Sequence, residues 1–284
     1  MTTAPAAGEG LRVRTLVDTD ADAVVALLLK GFDDRDEAYW RHALAALAIR
    51  AVPAAFPRYG YGLSADGRLV GVLLMIFAEA DDGGLRGNVS SWYVEPDYRF
   101  YSSMLIAPAL RLKDVTLINV SPAPHTLPTI AAQGFQRYVA GSMAALPMLG
   151  LPRISSRLER VAPSAAPEAD RLARHAAMGC LSFTVTHRGH RYPFVFLPRP
   201  WGRNGIPTVQ LVYCESLDSF VHFSGMLGRR LLLLGFPIVI LDADGPLPGL
   251  VGYFFAGRKI KVFRGPNRPR LGDLADTELV LFGP

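Results

Sequence analysis

The sequence predicts an α/β chain built on mixed sheets, one in each half. Three observations carry this. Stretches of alternating or continuous apolar character take turns with stretches of helical periodicity along the chain. The composition is that of a packed globular protein: of 284 residues, 50% are hydrophobic and 19% charged. A strand-like pattern also recurs, Val89–Glu95 reading VSSWYVE and Val209–Glu215 reading VQLVYCE, each followed by a helical stretch and a buried strand. At about 150 residues per domain, the length suggests two domains, 1–150 and 151–284, related by internal duplication.

Each element follows from local chemistry. Residues 1–10 are small and polar and are expected to be disordered. Leu11–Leu16 alternates as a short strand does. Asp18, Asp20 and Asp22 precede an apolar run, and acidic residues favour a helix start. A second helix spans Glu37–Ile49, with Trp40, Leu44 and Leu47 at helical spacing. Tyr59–Ala78 reads as a hairpin turning at Asp66-Gly67, and Asp81–Gly84 as another turn. Asn88–Val94 is a strand ended by Pro96, Ser102–Leu112 a helix, and Val115–Val120 a strand. Thr126–Gln133 is a short helix closed by Gly134, and Phe135–Leu146 returns as one strand.

The stretch from about Met148 to Ala169, rich in Pro, Ser and Arg, reads as a linker with a poorly packed helix. Beyond it the same texture resumes. Leu181–His187 and Tyr192–Leu197 form a hairpin around Arg188-Gly189. Thr208–Cys214 is a strand, Ser219–Leu234 a helix, Pro237–Leu241 a strand, and Val251–Val262 a strand or hairpin.

Several classes are set aside on composition. No stretch reaches the roughly 18 apolar residues of a bilayer crossing, and the N-terminus lacks the basic start and apolar run of a secretory signal. The expectation is a cytoplasmic protein with no membrane partner. Cys180 and Cys214 lack paired spacing, and His187 and His190 have no third ligand, so no metal site is expected. The net charge is +5 and the pI about 9.4, which suits an anionic partner. The arginines are dispersed and no basic stripe carries interleaved aromatics, so a nucleic-acid partner is not expected.

The residues with most chemical content lie at 88–99, reading NVSSWYVEPDYR, before the helix from Ser102. A second group is VTLINVS at 115–121, then a helix ending in Gly134-Phe135. On these motifs, and the early strand with its acidic helix start, roughly residues 11–147 resemble the GNAT superfamily of acyl-coenzyme A N-acyltransferases. The family pattern is a strand, then V-x-P-x-Y-R, then a loop opening a helix.

The resemblance implies a GNAT-like fold, here as two tandem units, and acetyl-CoA or another acyl-CoA as co-substrate. It implies that the loop Arg99, Phe100, Tyr101, Ser102, Ser103, Met104 holds the pyrophosphate, where a helix N-terminus offers N–H groups and a positive dipole end. It implies a pantetheine arm along the strand ending in Tyr93 and Val94, with the Val94 amide polarising the thioester carbonyl. Asn119 falls where the family's sheet opens. Glu95 is the candidate base, with Asp97 next.

Departures accompany the likeness. Ser102 and Met104 stand at the family's two small loop positions. Ile130 stands where a tyrosine usually protonates the thiolate, leaving His125 and Thr126 as substitutes. In the second half Ser219 aligns with Arg99 and Phe220–Phe223 is bulky, so that half is expected to be degenerate, without coenzyme A binding.

The expected activity is acyl transfer from the thioester to an amine on a small molecule or a protein. The alternative on the same fold is a non-catalytic ligand-binding or regulatory protein.

Overall fold

The run Leu69–Phe77 has no polar side chain, and such a run is stable only when both faces of its sheet are covered. In a computed structural model, which describes residues 10–80, 83–153, 155–160, 166, 168–202 and 204–283, every residue of this run is buried. The first unit forms around it from residues up to Gln136, together with 262–268 and 276–283. Its elements are β1 (Arg12–Thr15), α1 (Ala21–Gly31), α2 (Glu37–Ile49), β2 (Gly60–Ala65), β3 (Arg68–Glu79), β4 (Leu85–Val94), α3 (Ser102–Leu110), β5 (Val115–Asn119) and α4 (Leu127–Ala132). The Asp36 carboxylate caps α2 by accepting the Tyr39 N–H at 2.8 Å, and Gly134 closes α4 at φ +86°. Helix α1 lays Val24, Val25, Leu27 and Leu28 on β3 and β4, while α3 packs on β2 and β3.

At β6 (Gln136–Arg137) the chain leaves the first unit. The second unit holds residues 137–261 and 269–275. Its elements are β7 (Gly141–Ala145), β8 (Ser156–Glu159), α5 (Ala169–Ala177), β9 (Leu181–His187), β10 (His190–Trp201), β11 (Ile206–Cys214), α6 (Leu217–Leu233), β12 (Ile238–Ala243) and β13 (Gly252–Ala256). Its core joins Phe183, Phe194, Phe196, Phe220, Phe223 and Leu227. The chain then adds β14 (Val262–Arg264) and α7 (Glu278–Leu281) to the first unit.

Both sheets have seven strands and the same plan. The first runs β1-β2-β3-β4-β5-β14-β6 and the second β8-β9-β10-β11-β12-β7-β13. Among the named registers, β4/β5 and β11/β12 are the parallel pairs, each after an antiparallel β3/β4 or β10/β11 pair. A helix follows β4 and β11 alike, so the likeness of Val89–Glu95 to Val209–Glu215 is topological as well as local. The sixth place in each sheet is filled from the other half of the sequence: β14 in the first, β7 in the second.

That exchange accounts for most differences from the sequence reading. Phe135–Leu146 is two strands, β6 and β7, in different sheets. Val251–Val262 is not a hairpin, because β13 and β14 also belong to different sheets. The first unit's continuous part stops at Gln136, where the sequence suggested 150. Within the expected linker, β8 pairs with β9, an edge position that hides its alternation behind Arg157 and Glu159. The expected turn residues Asp81 and Asp82, the N-terminal residues 1–9, and part of 148–169 lie outside the described residues. Among the described residues, no helix is long and apolar enough to cross a membrane.

Candidate functional site

The parallel β4/β5 ladder has rungs from Leu85↔Val115 to Asn88↔Ile118, and there it stops. Beyond it β4 bulges, with Ser90 and Ser91 standing opposite the single residue Leu74 of β3. The strands part, and the far edge of β4 loses its partner. Which groups this exposes follows from register. The Glu95 N–H donates to Val70 O at 2.9 Å, so Val94 and Gly71 form a non-hydrogen-bonded pair. The N–H and C=O of Val94 therefore point away from β3. Two residues earlier, those of Trp92 do the same. Among the described residues no backbone group pairs with them. Strand amides without a backbone partner are open to water or to an added extended chain.

The sequence-predicted residues fall around this fork in different ways. Val94 lies on the open edge. Tyr93 does not: its backbone faces β3, and its ring lies so close to α1 that a Cβ on Gly31 would sit 2.3 Å from it. Trp92, two residues before Val94, presents its backbone on the open edge as well. Asn119 ends β5 at the fork and accepts the Ser121 N–H at 3.1 Å, fixing the turn there.

The segment from Arg99 to Met104 is not an open loop. Pro96–Tyr101 is wound as a 3-10 turn that runs into α3, and the Ser102 N–H is used by Arg99 O. Anion binding by the Ser102 N–H requires this turn to unwind. Arg99 and Phe100 are exposed beside it, and no pairing with Asp97 is described. Ser103 and Met104 are also exposed, on the first turn of α3, with Tyr101 and Ser102 half-buried.

The two expected catalytic groups are not brought together. His125 is exposed on the 3-10 turn before α4. Glu95 is held by Lys30 at 2.8 Å and by Arg68 at 2.7 Å. Burial alone would raise its pKa, but these two hydrogen-bonded cations outweigh it and hold the carboxyl below its usual range. A carboxylate so stabilised is a poor proton acceptor.

One buried carboxylate at the fork has no signal near these motifs. Glu278, at the start of α7, is buried at the fork. Its carboxylate accepts from the Ser121 hydroxyl and from Ser90, one on each side of the parting strands, and lies 3.5 Å from Asn88 Nδ2. Burial pushes its pKa up, and the three donors offset this only in part. Its charge also reaches the Tyr39 hydroxyl, whose pKa burial raises first. Tyr39 lines an open depression of about 430 Å³ with Asp33, Asp34, Arg35 and Asp36.

The second unit shows what an extended chain does at such a fork. There the β11/β12 rungs end at Gln210↔Ile240. The free edge of β11 is taken by the chain itself: the Cys214 N–H donates to Gly272 O at 2.9 Å and the Leu274 N–H to Val212 O at 2.7 Å. Cys214 and Val212 are the counterparts of Val94 and Trp92. The N-terminus of α6 is likewise satisfied, since Ser216 Oγ accepts the Ser219 N–H at 3.0 Å. The guanidinium groups of Arg171 and Arg270 lie 4.4 and 4.9 Å from the Tyr213 ring centroid. Burial raises Cys180 and Cys214 to about 12, which leaves both thiols unreactive. Among the described residues, no three His, Cys, Asp or Glu cluster as metal ligands would.

No protein-family model matches the sequence, and no curated protein matches it. Solved structures do match. An Anabaena variabilis GCN5-related N-acetyltransferase aligns at 11% identity over 89% of this chain and 72% of its own, with a TM-score of 0.57. An Enterococcus faecalis protein of unknown function, assigned to the N-acyltransferases, aligns at 11% identity over 94% and 74%, with a TM-score of 0.56. A Pyrococcus horikoshii protein assigned to the acetyltransferases aligns at 11% identity over 97% and 95%, with a TM-score of 0.54. The chain thus has the GNAT-related N-acetyltransferase fold. The matches run through both units, in keeping with two tandem GNAT-like sheets.

Proposed function

We propose that the first unit binds an acyl-coenzyme A and transfers its acyl group to an amine. The observation that carries this reading is the open β4 edge, with the N–H and C=O of Trp92 and Val94 directed into the fork. A pantetheine arm has amides spaced along an extended chain, and it fits that edge as segment 272–274 fits the edge of β11. The Val94 and Trp92 N–H groups are then the donors available to a thioester carbonyl and to the oxyanion formed when an amine attacks it. Arg99, exposed before α3, is the cation nearest in sequence to that helix start and serves the pyrophosphate once the 3-10 turn opens. The second unit, its fork filled and its helix capped, does not bind the co-substrate in this reading. The acceptor is a primary amine of a small molecule or a protein.

A second reading, a non-catalytic acyl-CoA-binding protein, is favoured by the two ion pairs on Glu95 and by Ile130 in the place of the thiolate's acid. Calorimetry with acetyl-CoA, followed by a transfer assay over a panel of primary amines, separates the two. The enzyme reading expects micromolar binding, about tenfold weaker in Arg99→Ala, as loss of one charge-assisted phosphate contact implies, together with transfer to at least one amine. Binding without transfer supports the second reading, and no binding overturns both.

A further inference from the structure

Residue 278 is 190 positions from Asn88 in sequence, yet the fold seats its carboxylate where β4 and β5 part. Three features of that seat are unusual for a structural carboxylate. No cation is described at hydrogen-bonding distance from it, in contrast with Glu95 and its two basic partners. Its donors are neutral: the Ser121 hydroxyl, Ser90 and the Asn88 amide. It is also held from both sides of the opening, Ser90 belonging to the β4 bulge and Ser121 following β5. A carboxylate with neutral donors and little water keeps a higher proton affinity than one beside cations, and this is the condition a general base needs near neutral pH.

We infer that Glu278, supplied by the C-terminal helix, is the general base of the acyl transfer, seated between the Ser90 and Ser121 hydroxyls at the fork. The inference rests on the reading of the first unit as an acyl-CoA-dependent transferase. In the step it assigns, an incoming ammonium gives one proton to the Glu278 carboxylate. The freed nitrogen lone pair attacks the thioester carbon, and a C–N bond forms. The C–S bond then breaks, and its electron pair leaves with coenzyme A as the thiolate. The second proton on nitrogen passes to solvent. Glu95 remains an ion-paired anchor at the end of β4.

Burial of Glu278 points the same way: the ionised carboxylate is disfavoured where it sits, and groups held at such a cost cluster at functional sites. Ser121 lowers that cost in part by donating to the carboxylate.

The test uses the full chain with acetyl-CoA and the best amine from the panel, and follows kcat/KM against pH. Glu278→Gln conserves shape and is expected to bind acetyl-CoA as the wild type does. Its kcat is expected to fall about 100-fold or more, the usual contribution of a general base, and the acidic limb of its pH profile to vanish. Ser121→Ala removes a donor to the carboxylate, so its acidic limb should move to higher pH. A merely structural Glu278 would move neither limb. Glu278→Gln activity within about threefold of wild type, with the limb intact, overturns the assignment alone. A wild type that binds acetyl-CoA but acylates no amine overturns the transferase reading, and this assignment with it.

Discussion

Glu95 and Glu278 are carboxylates of the same unit, pushed in opposite directions by their surroundings. Contrasting pairs of this kind separate anchoring groups from proton-transfer groups. Each has its own pH signature. Glu95 has a lowered folded pKa, so its stabilising effect is complete above its unfolded value of about 4.3 and fades as pH falls through the folded value. Lys30 and Arg68 are more than half exposed, so screening limits the effect to about 1 kcal/mol. Glu95→Gln should therefore lower Tm at pH 7, and the difference should shrink as pH falls through the lowered folded value. Glu278 has a raised folded pKa, so its contribution is complete below the unfolded value and is lost as pH rises through the folded one. Glu278→Gln should match the wild type near about pH 4 and melt higher at alkaline pH. Thermal melts of both variants across pH check the two signs, and a pH-independent difference in either case would contradict them.

Element by element, what was legible in the sequence tracks how local each signal is. Helix α2 was readable because the Trp40, Leu44 and Leu47 spacing lies within the segment. The β9/β10 hairpin was readable because Arg188 and Gly189 both take positive φ in the turn. Strands β6, β7 and β14 were misread because their pairing partners lie far along the chain, and no local pattern records which sheet a strand joins. Helix α6 adds a prediction that propensity alone gets wrong. Alanine is favoured over glycine inside a helix by about 1 kcal/mol. A Cβ on Gly228, however, would stand 2.2 Å from the Met148 backbone N. Backbone cannot rotate aside as a side chain does, and overpacking of this kind costs about 1–3 kcal/mol. Gly228→Ala should therefore lower stability in urea unfolding, whereas a stabilised variant would show that the 147–151 segment yields.

The molecule as a whole takes the first unit's sixth strand and its buried Glu278 from the end of the chain. A fragment of residues 1–150 lacks β14 and α7, including Leu279, Val280 and Leu281, which are buried in the full chain. It should show no cooperative melt, and a sharp transition would mean that the C-terminal segments are dispensable to the first unit. This exchange is also why the candidate site was only half legible in the sequence. Val94 and Asn119 lie in the motifs that carry the family resemblance. The open backbone of Trp92 depends on register against β3, and Glu278 reaches the fork only through the tertiary path of the C-terminus. Amide hydrogen exchange at Trp92 and Val94 reads most directly whether the free edge of β4 takes the co-substrate. Both amides should be weakly protected in the free protein and strongly protected with saturating acetyl-CoA, while Tyr93, bonded to β3, is protected throughout. Unchanged exchange at Trp92 and Val94 on adding acetyl-CoA would contradict this role of the edge.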